Sequence, residues 1–457
     1  MNYLTGRKQR VVIKGQASTW HYNSAGVPQG SILGPLLFLI YVDDIVNDIE
    51  SQILLFADDT SLFEIISDPL ISFPRINNDL EKLNSWAKTW LVTFNPTKTK
   101  YMIFSKKLVK VAHPPLILDN KQLTKVSHHS QLGIVLSEDM TWNEHIKKAC
   151  EKAGKRISAM IRISDKIDKS TKLNIYISFI RPTLEYGSMI FDNASQEMIN
   201  LLEAVQRRAA LTITGAYKCT KHTNLLDEIG LNPLKLRRTF FKLTLFYKIK
   251  NNLTLQYLSI LCPPEVAERT DYNLRNAGNT DIIASNKNYY LKSFLPSTIK
   301  LWNNLPGDIR NAGTLDIFKH KLSAHLNMTN VYKPYLFCPN KNFVQIARLR
   351  MGLSALNAHR HKVHFIPNAS CPYCNHRIED TAHYLLQCPH FTAARTEMLN
   401  AVANILPDQY QYLLQINTRK QTQELSKILI FGVEHPETDF ALFNITAIFI
   451  GKTARFV

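Results

Sequence analysis

The order of hydrophobic and polar positions predicts short strands and two helices in the first 140 residues. An apolar run over residues 31–46 is long enough for a buried helix, with Pro35 in its first turn, where proline is tolerated. Apolar residues at helical spacing predict a second helix over residues 74–92. Short apolar runs predict strands at residues 9–14, 53–57, 61–65, 101–104 and 132–136. This mixture favours an α+β fold.

The pattern becomes helical from about Trp142 onwards. Residues 143–162 and 170–215 have helical periodicity and are rich in Lys and Arg. Arg207-Arg208 and residues 235–238 are basic clusters on helices of this kind. Residues 262–290 are loop-like, and prolines predict a linker at 330–342. We therefore predict three regions, which are residues 1–140, 141–330 and 331–457.

The composition favours a basic protein that binds a polyanion. The 457 residues include 55 Lys and Arg against 37 Asp and Glu, a formal net charge of +18. Such an excess favours nucleic acid as a partner, although a merely basic soluble protein has the same composition. The longest apolar run is too short for a membrane span. Seven cysteines without a secretory signal argue against disulfides and predict an intracellular protein of the cytoplasm or nucleus, not a secreted one.

Two adjacent acids, Asp58 and Asp59, stand between the predicted strands at 53–57 and 61–65. Adjacent carboxylates repel each other, and their hard oxygen atoms suit Mg²⁺ or Mn²⁺, although an Asp-Asp pair is also a routine turn. A glycine-rich loop, Gly26–Pro35, comes before this pair. Its glycines let the backbone approach a ligand closely, and Ser31 can cap the following helix, whose N-terminus favours phosphate.

A second candidate site combines three cysteines and one histidine near the end of the chain. The predicted ligands, within residues 367–395, are Cys371, Cys374, His383 and Cys388. Three thiolates and one imidazole make a closed tetrahedral Zn²⁺ site, and its closure indicates a structural or nucleic-acid-positioning role instead of hydrolysis. Scattered cysteines near a histidine are the alternative, and His376 and His390 compete for the histidine position.

Together these motifs resemble the reverse transcriptases of non-LTR (LINE-type) retrotransposons. Gly26–Pro35 resembles their template- and nucleotide-contacting loop, with Gln29, Gly30 and Ser31 as binding residues, and Phe56–Asp59 resembles their metal-binding carboxylate hairpin. Residues 94–104 resemble the next motif, with Lys98 or Lys100 near the pyrophosphate, and Leu132-Gly133-Ile134 resembles the primer-grip strand.

The resemblance extends beyond these motifs over most of the chain. It continues through Tyr186-Gly187, Gln206-Arg207-Arg208 and residues 301–306, and the block around the cysteines resembles the zinc element of these proteins, which supports His383. It implies an incomplete polymerase palm (an antiparallel sheet with helices), a helical thumb and connector, and a small zinc-binding element. It also implies RNA-directed DNA synthesis from deoxynucleotides on an RNA or DNA template–primer, with Mg²⁺ or Mn²⁺ at Asp58 and Asp59.

One departure from the family concerns a further catalytic Asp on a strand before the glycine loop. Residues 1–42 contain no Asp or Glu, so we expect the chain to begin inside the palm and to be inactive alone. The alternative is a non-catalytic nucleic-acid-binding zinc protein remnant, and a third interpretation is a zinc-stabilised interaction protein. Tyr41–Asp44 spells the tetrapeptide of retroviral polymerases, but it ends a predicted helix, so we expect its two acids to face solvent.

Weaker features keep two interpretations each. A basic stretch predicts either a phosphate-contacting patch or a solvated face, and it comprises Arg348, Arg350, His359, Arg360, His361 and His364. Trp86 and Trp90 are expected in the core instead of serving as base-stacking platforms. The remaining cysteines of the helical region, Cys150, Cys219 and Cys262, are expected to be small core residues.

Overall fold

The computed structural model describes residues 3–105, 112–269, 277–328 and 342–456. Contacts divide the chain into two units, Met1–Thr141 and Trp142–Val457. The linker predicted at 330–342 lies outside the described residues, apart from its last residue. Within the described residues, no helix is both long enough and apolar enough to cross a membrane.

The first unit contains short strands and two main helices. Helix α1 (Leu33–Val42) continues into a 3-10 turn (Asp43–Val46), and α2 (Pro69–Thr89) begins after Asp68, whose side chain accepts a hydrogen bond from the Leu70 amide. The strands pair as β1 (Lys8–Gln9) with β4 (His21–Tyr22), β2 (Val12–Ile13) with β3 (Gln16–Ala17), β5 (Gln52–Phe56) with β6 (Asp59–Phe63), β7 (Lys100–Tyr101) with β10 (Thr124–Lys125), β8 (Ile117–Leu118) with β9 (Lys121–Gln122), and β11 (His128–Gln131) with β12 (Ile134–Ser137).

These pairs are all antiparallel except β7 with β10, which is parallel. The described residues form only two-stranded pairs, so they do not make the single antiparallel sheet expected of a palm. Three predicted strands differ from the structure. The strand at 9–14 is divided into β1 and β2, with Arg10 and Val11 outside both strands. The strand at 101–104 keeps only Tyr101, and the strand at 132–136 begins at Ile134, because Leu132 and Gly133 have φ of +48° and +79° and form the turn.

The hydrophobic core of the first unit lies between α2 and the strands that follow it. Phe73 and Leu80 from α2 pack with Leu116, Leu118 and Leu123. Helix α1 contributes no residue to this core, and Gly34 is its only buried residue. The prediction of a helix here is right, but the prediction that it is buried is wrong, because Leu33, Leu36, Leu39 and Ile40 are exposed.

The second unit is helical. Its longer helices are α3 (Asn143–Arg162), α6 (Gln196–Thr214), α8 (Leu234–Lys250), α11 (Phe294–Asn303), α13 (Leu315–His325), α16 (Thr392–Ala403), α17 (Arg419–Phe431) and α18 (Pro436–Thr453). Its shorter helices are α4 (Lys169–Ile175), α5 (Arg181–Glu185), α7 (His222–Ile229), α9 (Gln256–Ile260), α10 (Asn288–Leu291), α12 (Gly307–Arg310), α14 (Phe343–Arg350) and α15 (Asn357–Lys362). Pi-helical turns occupy Tyr176–Ile180 and His383–Gln387, and 3-10 turns occupy Val266–Glu268, Pro389–Phe391 and Asp408–Gln415.

Three hydrophobic clusters stabilise this unit. The first packs α3 against α6 and α7, and the second, around Trp302 and Phe318, packs α8 against α11 and α13. The third surrounds the cysteine motif with α14, α17 and α18. Helix α14 belongs to two clusters, because Ala347 packs into the first and Ile346 into the third.

Candidate polymerase and zinc sites

The acidic pair lies at the tip of a two-stranded hairpin. Strand β5 pairs with β6 from Gln52 opposite Phe63 to Phe56 opposite Asp59, so Ala57 and Asp58 form the turn. Ala57 has φ of +50°, a left-handed conformation that costs a residue with a Cβ roughly 1–2 kcal/mol. Both carboxylates are exposed. Strained residues concentrate at functional sites, so the strain at this turn supports a functional role for Asp58 and Asp59.

A buried carboxylate that no sequence motif indicates anchors the base of this hairpin. Asp79 on α2 is fully buried and accepts hydrogen bonds from the backbone amides of Glu50 (3.1 Å) and Ser51 (2.8 Å). Lys82 lies 3.5 Å from the same carboxylate. Burial opposes the charge of Asp79, but the hydrogen bonds from Ser51 and Glu50 and the charge of Lys82 hold its pKa below the usual value. The ionised carboxylate therefore ties the start of β5 to α2.

The glycine-rich loop turns sharply before α1. Gly30 has φ of +80°, and Ser31 donates from its hydroxyl to the Pro28 carbonyl at 2.7 Å. The same hydroxyl oxygen accepts a hydrogen bond from the Gly34 amide in the first turn of α1 at 3.1 Å and contacts the Tyr3 hydroxyl, but Ile32 and not Ser31 is the N-cap residue of the helix. A Cβ at Gly30 would meet open space, and the neighbouring Gln29 is exposed. This loop is therefore accessible to a ligand.

The other predicted palm residues have different surroundings. Lys98 is exposed in a turn whose Asn95 side chain accepts the Lys98 amide at 3.3 Å, and Lys100 lies half-buried on β7. Gln131, beside the Leu132-Gly133 turn, donates to the Ser61 hydroxyl on β6 at 3.1 Å. The hairpin that resembles a primer grip therefore contacts the acidic hairpin directly.

The described residues bring no third acidic ligand to Asp58 and Asp59. In the described part of the chain, groups of three or more metal-ligating Cys, His, Asp or Glu residues occur only at the cysteine motif. Asp43 and Asp44 lie in the 3-10 turn after α1, away from any hairpin tip. The expectation that both face solvent is wrong for Asp44, which accepts hydrogen bonds from the indoles of Trp86 (2.7 Å) and Trp90 (3.1 Å).

The expectation that Trp86 and Trp90 lie in the core is wrong, because Trp86 is only half-buried and Trp90 is 41% exposed, and both indole nitrogens donate to Asp44. Their rings also contact Tyr41 edge-to-face, with ring centroids 6.3 and 5.4 Å apart. The cluster fixes the end of α1 to α2. The hydrogen bonds from the two indoles therefore give Asp44 a structural role.

The four predicted zinc ligands converge on one point. Their ligand atoms all lie within 4.8 Å of one another. The Sγ atom of Cys388 lies 3.8 Å from the Sγ atoms of Cys371 and Cys374, and Cys374 Sγ lies 3.3 Å from His383 Nε2. Tetrahedral zinc with Zn–S bonds of about 2.3 Å has S–S edges of about 3.8 Å. The spacing of these thiols therefore fits a zinc ion.

Local structure explains why these residues meet. Cys371 and Cys374 share a turn closed by a hydrogen bond from the Asn375 amide to the Cys371 carbonyl. The helical turn at 383–387 presents His383 at its start and Cys388 at its end, and Asp380 Oδ1 accepts the His383 amide at 2.8 Å. His376 stacks on the His383 ring, and His390 stacks on Tyr373, so the competing histidines lie beside the cluster.

The ligands of the cluster differ in how readily they lose a proton when no metal is bound. Burial and the neighbouring His376 lower the pKa of His383, so its imidazole is neutral near pH 7 and its lone pair is available. Burial raises the pKa of the Cys388 thiol to about 12. Burial also opposes ionisation of Cys374, but hydrogen bonds from the His376 backbone, Cys371 and Cys388 lower its pKa overall. A bound metal ion would displace the remaining protons.

A basic groove of about 750 Å³ runs between α3 and α6. Its charged lining residues are Lys147, Glu151, Lys155, Arg162 and Arg208. Arg208 crosses the groove and donates to the Ser158 hydroxyl at 3.0 Å. Helix α3 buries its apolar face in the core and exposes this basic face, so four cations and one acid line a channel open to solvent.

The basic stretch at 348–364 divides into two groups. Arg360, His361 and His364 are exposed, whereas the other three residues contact other parts of the protein. Arg350 is buried and forms an ion pair with Glu228 at 3.0 Å, and Arg348 donates to the Gly215 carbonyl and lies over the Tyr217 ring. His359 accepts a hydrogen bond from the Ser354 amide. Of the three cysteines expected in the core, Cys150 is buried, Cys262 is half-buried and Cys219 is exposed, so that prediction is wrong for Cys219.

Comparisons with known proteins show similarity to reverse transcriptases. Residues 2–139 match the family described as reverse transcriptase (RNA-dependent DNA polymerase). The chain is 27% identical over 238 residues to the probable RNA-directed DNA polymerase from transposon X-element of Drosophila melanogaster. It is also 27% identical over 226 residues to the RNA-directed DNA polymerase from mobile element jockey of the same species. The chain therefore carries a reverse transcriptase domain of the non-LTR retrotransposon type.

The similarity also reaches beyond this reverse transcriptase domain. The putative 115 kDa protein in type-1 retrotransposable element R1DM of Drosophila melanogaster is 22% identical over 407 residues, which cover 86% of this chain and 36% of that protein. The X-element and jockey matches cover 50% and 47% of this chain. The chain spans about a quarter of the length of these two relatives, 26% and 24%.

Proposed function

We propose that the chain is the part of an RNA-directed DNA polymerase that holds one of its metal-binding carboxylate strands, its template–primer groove and a zinc element. The observation that carries the proposal is the Asp58-Asp59 hairpin tip inside a segment that matches reverse transcriptases. In this role Asp58 and Asp59 hold Mg²⁺ or Mn²⁺. When bound, two such ions stabilise the attacking and leaving oxygens of phosphoryl transfer.

The neighbouring loops supply the contacts for substrate. Gln29, Gly30 and Ser31 lie at an open turn before a helix, where backbone N–H groups favour a nucleotide phosphate. Lys98 or Lys100 provides positive charge for the pyrophosphate. The Leu132-Gly133 turn, joined to β6 through Gln131 and Ser61, holds the primer strand near the acidic tip.

The groove between α3 and α6 binds the template–primer. Lys147, Lys155, Arg162 and Arg208 present positive charge along one channel, as contacts to a phosphate backbone require. The cysteine motif holds one Zn²⁺ that stabilises the fold around it, because a site closed by four protein ligands leaves no position for substrate.

The 457 residues do not extend a primer by themselves in this account. Asp58 and Asp59 gather no third acidic ligand among the described residues, and residues 1–42 contain no Asp or Glu. Nucleic-acid binding and catalysis belong to different units, since the groove and the zinc motif both lie in Trp142–Val457, outside the unit that holds the acidic hairpin.

That separation supports the second candidate, a non-catalytic nucleic-acid-binding zinc protein. Under both candidate functions the chain binds RNA–DNA hybrid. Only under the first does the palm extend a primer once the missing upstream strand is supplied. The deciding experiment is a fusion in which the X-element sequence that precedes the matched region is placed ahead of residues 1–457. Primer extension on an RNA template supports the polymerase, and a folded, nucleic-acid-binding but inactive fusion favours the second candidate.

A further inference from the structure

Residues 453–456, which comprise the last residue of α18 and the three residues after it, lie against the cysteine motif. Arg455 Nε donates to Glu379 Oε1 and Arg455 Nη2 donates to Glu379 Oε2, both at 2.7 Å. Glu379 is only 1% exposed and stands between Cys374 and His383 in the chain. The two parallel hydrogen bonds make this a bidentate ion pair, the strongest geometry for arginine and carboxylate.

Glu379 joins separate segments around the motif. Its Oε2 atom also accepts the Asn357 amide at 2.7 Å. Its own backbone amide donates to the Ala369 carbonyl at 2.7 Å, and its carbonyl accepts the Ala358 amide at 3.2 Å. A buried carboxylate with this many contacts requires a cation, and among the described residues its ion pair is with Arg455.

Residues 453–456 also contact the segments that carry the other ligands. The Arg455 guanidinium lies over the ring of Tyr373, 5.9 Å from its centroid, and Tyr373 stands between the two cysteines of the first turn. Tyr373 stacks on His390, two residues after Cys388, with centroids 4.4 Å apart. The hydroxyls of Tyr384 and Thr453 are 2.6 Å apart, and Tyr384 follows His383.

We propose that Arg455 is a positioning residue for the metal, so that docking of residues 453–456 and binding of Zn²⁺ strengthen each other. This inference rests on the zinc site proposed above. Arg455 contacts no ligand atom. It acts through Glu379 and Tyr373, which hold the ligand-bearing turns in place before the metal arrives.

The physical basis is preorganisation. A cation that meets ligands already fixed in place loses less free energy to their ordering, and removing such an outer contact typically weakens metal binding 10–100-fold. Binding linkage is reciprocal, so Zn²⁺ must strengthen the docking of residues 453–456 by the same factor that docking strengthens Zn²⁺.

The test measures Zn²⁺ affinity of the full chain by competition with a chromogenic chelator. We expect Arg455→Gln to weaken Zn²⁺ binding about 10–100-fold, and Arg455→Lys to fall between this variant and the wild type because lysine keeps the charge but lacks the planar fork. Arg377→Gln is the matched control, since it removes one positive charge from an exposed position in the same loop. Co²⁺ substitution should show tetrahedral absorption bands in every variant, because the ligands are intact.

The possible results distinguish a failure of the positioning role of Arg455 from a failure of the zinc site. A wild-type chain that takes up no stoichiometric metal refutes the site. A wild-type chain that binds one ion, with Arg455→Gln binding it equally well, overturns the positioning role alone. If Arg455→Gln does not fold, amide hydrogen exchange of the wild-type chain tests the positioning role instead. Removing Zn²⁺ from the wild type should speed exchange at residues 453–456 and leave α3 unchanged, and unaltered exchange at 453–456 overturns the proposal.

Discussion

The groove between α3 and α6 gives a quantitative prediction for nucleic-acid binding. Four cations line it, and each phosphate neutralised on a duplex contributes about −0.9 to the slope of log affinity against log salt. Four contacts therefore predict a slope of about −3.6, or a roughly 150-fold loss of affinity between 50 and 200 mM salt. Single-stranded nucleic acid has a shallower slope, of about −0.7 per phosphate.

The perturbation is the double variant Lys155→Gln with Arg208→Gln. Two phosphate contacts remain, so the expected slope is about −1.8 and the loss over the same salt range is roughly 12-fold. Both side chains are exposed, and Arg208 loses only its hydrogen bond to Ser158, so the fold should be preserved. Fluorescence anisotropy or filter binding with an RNA–DNA hybrid across this salt range measures the slope.

The matched control removes the same charge elsewhere in the second unit. Arg419 and Lys420 are exposed in the first turn of α17, a helix that packs in the cluster around the cysteine motif. Arg419→Gln with Lys420→Gln should leave the slope near −3.6. A groove variant that keeps the wild-type slope, or a control that loses as much as the groove variant, would refute the assignment of the groove.

Three further predictions concern the two candidate sites. Cys374→Ser should abolish stoichiometric zinc and increase hydrogen exchange in residues 367–395 without changing the first unit, whereas Cys219→Ser, at an exposed cysteine, should keep the metal on elemental analysis. Zinc affinity should decrease as pH is lowered from 7.5 to 5.5, because protons compete for the thiolates and the imidazole, and an affinity independent of pH would exclude this ligand set. Asp79→Asn should destabilise the first unit by about 2 kcal/mol in urea unfolding, with Asp119→Asn as the exposed control. The pKa of Asp79 is lowered in the folded state. Its contribution to the free energy of unfolding is therefore present above its unfolded pKa of about 3.9 and is lost as pH falls through the folded pKa. Identical acid unfolding of the wild type and Asp79→Asn would contradict this.

Local periodicity was sufficient to predict the helices that bury one face. Residues 143–162 were predicted as a helix from the spacing of their apolar residues, and α3 occupies the same range, with Ile146, Ala153 and Ile157 fully buried. The zinc motif was predictable for a related reason. Its ligand types and spacing are local, and the helical turn from His383 to Cys388 brings the ends of the motif together.

Features that depend on distant partners could not be predicted from the sequence. Arg350 looked like part of a basic surface patch, but it is buried against Glu228, which lies 122 residues away in the chain. No local pattern distinguishes Asp79 on α2, since its hydrogen-bond donors, the amides of Glu50 and Ser51, come from a different part of the chain. Arg455 belongs to no recognisable sequence motif. Its partner Glu379 lies in the block around the cysteines that resembles the zinc element of non-LTR retrotransposon proteins.

The apolar sequence of α1 illustrates another limit. Hydrophobic composition predicts that a helix forms, but it does not identify which residues pack against it, and within the described residues Ile32, Leu36 and Ile40 are exposed. The Leu132-Gly133 turn shows the same limit in a strand. Glycine within a short apolar run was the available signal for a break, and the structure places the turn there.

The most direct test of the central claim is primer extension by the fusion that supplies the X-element sequence ahead of residues 1–457. We predict no extension by residues 1–457 alone, extension on an RNA template by the fusion, and a loss of about 10³-fold or more when Asp58→Ala and Asp59→Ala are introduced together, because several kcal/mol of transition-state stabilisation disappear. Asp43→Ala, at an exposed acid outside the hairpin, should keep the rate. Extension by the unmodified chain, or a fusion that remains active without Asp58 and Asp59, would contradict the assignment of these two carboxylates to catalysis.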